Sequence, residues 1–131
     1  MTLAYLNAHL DLLQSLERAN ETLDALRSAA VPGAQVLTGM PHATGVSDKV
    51  GEFAAEIADL EAQMDYIRAQ IAESQKRITD WISTIDDVIV RVMLRLRFIR
   101  GFQWKEVAGY LGTYTSESKV KNICYKYIDV E

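Results

Sequence analysis

The sequence predicts an all-α protein: a long N-terminal helical hairpin or coiled coil over residues 1–85, then a small three-helix unit over residues 86–131. Three observations carry that expectation. Leucine recurs at positions 3, 6, 10, 13, 16, 23 and 26, with no glycine or proline from Leu3 to Ala30. Apolar residues then alternate by three and four from Val50 to Ile85. Finally, two apolar stripes at helical spacing are joined at Gly101, with a second glycine at Gly112.

The leucine stripe makes one amphipathic helix over residues 3–30, roughly seven turns and about 40 Å long. Val31-Pro32-Gly33 ends it, because proline lacks a backbone donor and restricts the residue before it. The following stretch contains Gly39-Met40-Pro41-His42 and Gly45-Val46-Ser47-Asp48, a composition that predicts a loop over residues 31–48. A connection of that length is either functional or mobile.

The second helix shows the clearest periodicity in the chain: Val50, Phe53, Ile57, Leu60, Met64, Ile67, Ile71, Ser74, Ile78, Trp81 and Ile85, with Ser74 alone breaking it. Apolar residues at the two seam positions of five heptads give a seam about 50 Å long, which needs a partner helix. The first helix can fold back antiparallel to supply it. Its 28 residues are too few, however, and its start is expected to reach only as far as Lys76. Ile78, Trp81 and Ile85 must then pack on the C-terminal unit or on a second copy of the chain. Each is worth about 1.5–3 kcal/mol on burial, so a homodimer with Trp81 in its contact is the expected assembly.

A boundary is expected near Ser83, where Ser83 and Asp86 have the spacing of a capping box and Asp86-Asp87 place negative charge at a helix start. This makes the aspartate pair a cap rather than a pair of catalytic carboxylates. The next helix, Asp87 to Arg100, is expected to turn Ile89, Val92, Met93, Leu96 and Ile99 inward and to carry Arg91, Arg95, Arg97 and Arg100 elsewhere. A middle helix buries Trp104, Val107, Ala108 and Leu111, with Ala108 small enough for close approach of a neighbour. Gly112 marks a sharp turn. The last helix, Thr115 to Ile128, is expected to bury Val120, Ile123, Cys124 and Tyr127.

Charge is divided unevenly along the chain. Residues 1–85 hold 6 basic and 12 acidic side chains, residues 91–128 hold 8 basic and 2 acidic, and the whole chain carries −4. Local rather than net charge governs attraction to a polyanion, so the C-terminal segment is the candidate for phosphate binding and the acidic half for a partner arm. The plainer reading is that these charges only solvate helix faces. With 131 residues and 49% apolar side chains, the chain has room for one compact unit, or an elongated unit with one small domain, but not for two large cores.

Subtracting the expected core from the last helix leaves Ser118, Lys121, Asn122 and Tyr125 facing outward, as candidate base-contacting residues. Asparagine can pair bidentately with adenine, and lysine can donate to guanine. Ser116, Lys119 and Lys126 flank that face, while Arg100 and Lys105 lie at the turn into the middle helix; these five are the candidate phosphate-contacting residues. A three-helix unit that binds only protein accounts for the same composition equally well.

The stretch Leu94-Arg95-Leu96-Arg97-Phe98-Ile99-Arg100-Gly101-Phe102-Gln103-Trp104-Lys105-Glu106-Val107-Ala108 resembles the arginine-rich helix, glycine turn and Trp-x-Glu-(Ile/Val)-Ala helix of sigma-factor region 4. It is most similar to the version in phage-encoded late-gene regulators of the ArpU/RinA-like type. Gly39-Met40-Pro41 and Ser47-Asp48-Lys49-Val50-Gly51-Glu52 also resemble segments of such proteins, so the similarity covers roughly residues 37–128. It implies a helix-turn-helix domain of sigma region 4 type on a helical arm, control of phage or prophage transcription, double-stranded DNA and RNA polymerase as partners, and the cytoplasm of a bacterial host. The chain departs from the pattern at Gln103, where Ser or Thr is usual, and in the length from Gly112 to Val120.

Other chemistry lacks its signatures. His9 and His42 have no Cys or His partner at zinc spacing, and there is no Gly-x-x-x-x-Gly-Lys-Ser/Thr or Gly-x-Ser-x-Gly sequence. Cys124 has no histidine at a catalytic spacing, and Met64 and Met93 continue apolar stripes. Lys49 between Gly45 and Gly51 is explained by a helix capped at Ser47. The expectation is a non-enzyme without cofactor or metal. The N-terminus has no signal-peptide pattern, and no apolar run approaches the roughly 20 residues of a membrane span. Two other functions stay open: a small-terminase-like DNA-packaging subunit, and a coiled-coil adaptor that binds no DNA.

Overall fold

The computed structural model describes residues 1–30, 43–112 and 115–130, and these are all-helical apart from turns and one isolated bridge. The elements are α1 (Leu3–Ala30), α2 (Ala43–Ser83), α3 (Val88–Leu94), a π-helical turn (Arg95–Ile99), α4 (Trp104–Tyr110) and α5 (Glu117–Tyr125). Most of the expected 31–48 loop, residues 31–42, lies outside the described residues, and with it Gly39-Met40-Pro41 and His42. Residues 43–48, expected as loop, belong to α2, so Ser47 is not its cap. Beyond Pro41 no proline interrupts the chain. Extending a formed helix through Gly45 and Gly51 costs only about 1 kcal/mol at each.

The chain forms two compact units, residues 15–69 and residues 1–14 with 70–131. In the first, Ala19 and Leu23 of α1 are buried with Met64 of α2, and Leu16, Ile57 and Leu60 pack beside them. Arg27 Nη2 meets Glu61 Oε1 at 2.9 Å on the surface of the same unit.

The second unit is built around a larger core. Leu6 of α1 and Ile78 and Ile82 of α2 are buried with Ile85, Val90, Met93, Leu94, Phe98, Trp104, Val107, Ala108, Val120, Cys124 and Ile128. The boundary expected between residues 85 and 86 therefore falls inside this unit. Ile78 and Ile85 are buried within their own chain and Trp81 is half-buried against the same core, which is the first of the two packings expected for them. A backbone clasp closes the unit: Leu3 N–H donates to Asp129 O at 2.8 Å, and Asp129 N–H donates to Met1 O at 3.0 Å.

Ser74, the polar break in the seam, is buried opposite His9 of α1, with His9 Nδ1 and Ser74 Oγ 2.5 Å apart. The serine hydroxyl also lies 3.1 Å from Gln70 O and 3.2 Å from Ile71 O. His9 is fully buried and its Nε2 has no hydrogen-bond partner, so burial holds the imidazole below its ordinary pKa.

α3 starts at Asp87, whose carboxylate accepts from Ile89 N–H at 2.9 Å and Val90 N–H at 3.4 Å. The capping box expected from Ser83 and Asp86 does not form; the Ser83 hydroxyl donates to Thr79 O within α2. The inward face also differs from expectation, being Val90, Met93, Leu94 and Phe98, with Ile89 exposed and Val92, Leu96 and Ile99 half-buried. Residues 88–99 are apolar on nearly every side, so spacing alone fits more than one stripe. The π-helical turn, closed by Arg100 N–H to Arg95 O at 3.0 Å, brings Phe98 into the core.

Candidate nucleic-acid interface

The outward face of α5 is presented by its neighbours. Gly101, at φ 75°, turns the chain from the π-helical turn toward α4, allowing Phe102 N–H to reach Leu96 O at 3.1 Å. Gln103 caps α4 with extended backbone, and its N–H donates to Glu106 Oε1 at 3.1 Å. Trp104, Val107 and Ala108 are buried as expected and Leu111 is half-buried. Gly112, at φ 101°, makes the turn after α4; Thr113 and Tyr114 lie outside the described residues. α5 then starts at Glu117, later than the expected Thr115, with the Ser116 hydroxyl accepting from Lys119 N–H at 3.2 Å.

Val120 and Cys124 anchor α5 with no exposed surface, and the Cys124 Sγ–H lies 3.8 Å from Met93 Sδ. Burial pushes the thiol pKa up to about 12, so it stays protonated and serves as a core side chain. Ile123 is half-buried, but Tyr127, expected in the core, is exposed and Ile128 is buried in its place. The chain leaves α5 after Tyr125, which ends the helical register two residues before the expected stripe does.

Of the candidate base-contacting residues, Ser118, Lys121 and Asn122 are exposed together on α5, whereas Tyr125 is half-buried. Its ring meets Trp104 edge-to-face at 6.1 Å and 71°. Lys121 Nζ lies 5.5 Å from the centroid of the Tyr125 ring. Among the candidate phosphate-contacting residues, Arg100, Lys105, Ser116, Lys119 and Lys126 are all exposed, with Ser116 also occupied as the helix cap.

The arginines divide into two kinds. Arg91 Nη1 donates to Ile85 O at 2.6 Å and Asp86 O at 3.3 Å, tying α3 to the end of α2. Arg97 Nη1 donates to Phe102 O at 2.8 Å, and its guanidinium lies over the Trp104 ring at 5.3 Å and the Phe98 ring at 5.8 Å. Its Nε is buried without a partner, and burial lowers its pKa, with the Tyr125 side chain partly opposing. These two arginines hold the unit together rather than serving its surface. Arg95 is exposed, and sequence reasoning gave it no contact role; its position on an arginine-rich helix was the available signal.

Counted by compact unit, residues 1–14 with 70–131 hold 10 basic and 9 acidic side chains, and residues 15–69 hold 4 and 9. The unit that carries α5 is thus nearly neutral, and the other is acidic. A second exposed feature has no counterpart in the sequence reading: Tyr110, 67% exposed, stacks on Phe102 at 5.4 Å and 9°. Among the described residues no group of three or more His, Cys, Asp or Glu side chains is placed to hold a metal, and no helix is long and apolar enough to cross a membrane.

Compared with known protein families, curated proteins and solved structures, the chain matches none.

Proposed function

We propose that this chain is a DNA-binding transcriptional regulator of phage or prophage genes, with a helix-turn-helix of sigma region 4 type carried on an antiparallel helical arm. One observation carries the reading: Ser118, Lys121 and Asn122 stand exposed on one face of α5, a capped helix anchored by Val120 and Cys124. A short helix, a glycine turn and a second helix with a polar outer face form the arrangement that enters a major groove. Exposed Arg100, Lys105, Lys119 and Lys126 supply the phosphate contacts, and RNA polymerase is the second partner. No step of this reading requires enzymatic chemistry.

The test uses the full chain, because Leu6, Ile78 and Ile82 belong to the same core as α5. Duplexes are selected from a random pool and binding is measured by fluorescence anisotropy at several salt concentrations. Lys121→Ala with Asn122→Ala is expected to lose about 1–3 kcal/mol at the selected site. Lys105→Ala or Lys126→Ala should weaken binding to every sequence and flatten its salt dependence. A folded chain that selects no sequence overturns the proposal. The adaptor reading is favoured by Val88 and Ile89, exposed side by side at the start of α3, and such a chain would show no DNA binding even at low salt. A ring of eight or more copies in solution would turn the reading to DNA packaging.

A further inference from the structure

Tyr125 stands where the core of the second unit meets the outward face of α5. Phe98 and Trp104 are buried and meet edge-to-face at 5.9 Å and 85°, and Trp104 meets Tyr125 at 6.1 Å and 71°. Arg97 lies over the Trp104 ring and is itself tied to Phe102 O. Three rings thus run in sequence from the interior to the surface. The last of them lies under an ammonium group, Lys121 Nζ at 5.5 Å, one helical turn before it.

We propose that Tyr125 is a positioning residue for Lys121, fixing where its ammonium stands on the outward face of α5; this rests on the reading of that face as the DNA-contacting one. A lysine side chain has four rotatable bonds, and ordering it on binding costs entropy. A phosphate contact tolerates a mobile ammonium, since charge acts over distance. A base-edge contact does not, because the donor must meet one acceptor. A ring whose own orientation is set by Trp104 restrains the lysine before DNA arrives. Tyr125 therefore raises discrimination between sequences and leaves the electrostatic, sequence-independent binding as it was.

The test compares Tyr125→Phe, Tyr125→Leu and Lys121→Ala in the full chain, with thermal unfolding checked for each. In the free protein, NMR should show the Lys121 Hε resonances shifted upfield by the ring, in wild type and Tyr125→Phe but not in Tyr125→Leu. Binding is measured to the duplex that wild type selects from a random pool and to poly(dI-dC). Tyr125→Leu should reduce the ratio of the two affinities about two- to fivefold, the range of an exposed cation–π contact, with an unchanged salt slope on poly(dI-dC). Tyr125→Phe should retain the wild-type ratio. The proposal is overturned by a wild type without the upfield shift, or by a Tyr125→Leu protein that keeps the ratio while Lys121→Ala loses it. If the shift is present in a chain that selects no sequence, the DNA reading fails and the role falls with it, although the contact stands.

Discussion

In residues 15–69 two helices meet along a thin stripe, with Ala19, Leu23, Met64 and Ile67 among its buried members, whereas residues 1–14 and 70–131 enclose a core shared by α1, α2, α3, the π-helical turn, α4 and α5. Both stretches are helical and both show the same heptad-like spacing. What separates them is how many side chains each core gathers. Met64 and Leu23 are covered between two helices but with few buried neighbours, while Phe98 and Leu94 sit among buried side chains from every helix of their unit. Regular spacing in sequence thus says that a face will be buried, but not how large a core it will join.

Truncation of the core should show the largest contrast. Phe98→Ala is expected to lose about 3–5 kcal/mol, and Leu23→Ala in the two-helix stretch about 2 kcal/mol, near the low end for such changes. Urea unfolding followed by circular dichroism checks both. Equal losses would break the comparison.

An intermediate effect is expected at the His9–Ser74 pair. Ser74→Ala leaves both ring nitrogens of a fully buried histidine without partners and should cost about 1–3 kcal/mol. Removing the histidine as well, in His9→Leu with Ser74→Ala, should recover part of that loss. The pair also sets a pH dependence. The folded-state pKa of His9 lies below its unfolded value of 6.5, so its contribution is complete above that pH and is lost as pH falls below it. Unfolding midpoints measured from pH 7.5 downward should decline in wild type and flatten in the double variant; parallel curves would remove His9 from the account.

The smallest change belongs to the surface of the two-helix stretch. Arg27 and Glu61 are about half exposed, so Arg27→Ala should shift stability by no more than about 0.5 kcal/mol, with the difference from wild type shrinking in high salt. A loss approaching that of Leu23→Ala would mean that the ion pair, not the apolar stripe, holds the helices there.

Much of this was legible in the chain. The leucine stripe gives α1 from Leu3 to Ala30, and helical spacing alone marks Trp104, Val107, Ala108, Val120 and Cys124 as core. The exposed positions of Ser118, Lys121 and Asn122 followed by subtraction from those anchors. Where apolar residues surround a helix, as from Val88 to Ile99, spacing cannot choose a face, and Ile89 stands exposed where the expected stripe would bury it. Arg91 and Arg97 read as surface charge because nothing in their positions reveals the backbone carbonyls of Ile85 and Phe102.

Composition and periodicity by themselves determined that the chain is helical, where its long helices run, which residues punctuate the C-terminal helices and that the basic side chains collect toward the C-terminus. These are consequences of local backbone preference and of the 3.6-residue repeat, which each segment carries alone. Only the tertiary structure decided that Leu6, Ile78, Ile82 and Ile85 share a core with α5, that His9 answers Ser74, that Met1 and Asp129 are joined through their backbones, and that Tyr125 lies between Trp104 and Lys121. Each of these joins residues far apart in the chain or depends on a third element, so no window of sequence contains the information; it exists only once the helices have packed.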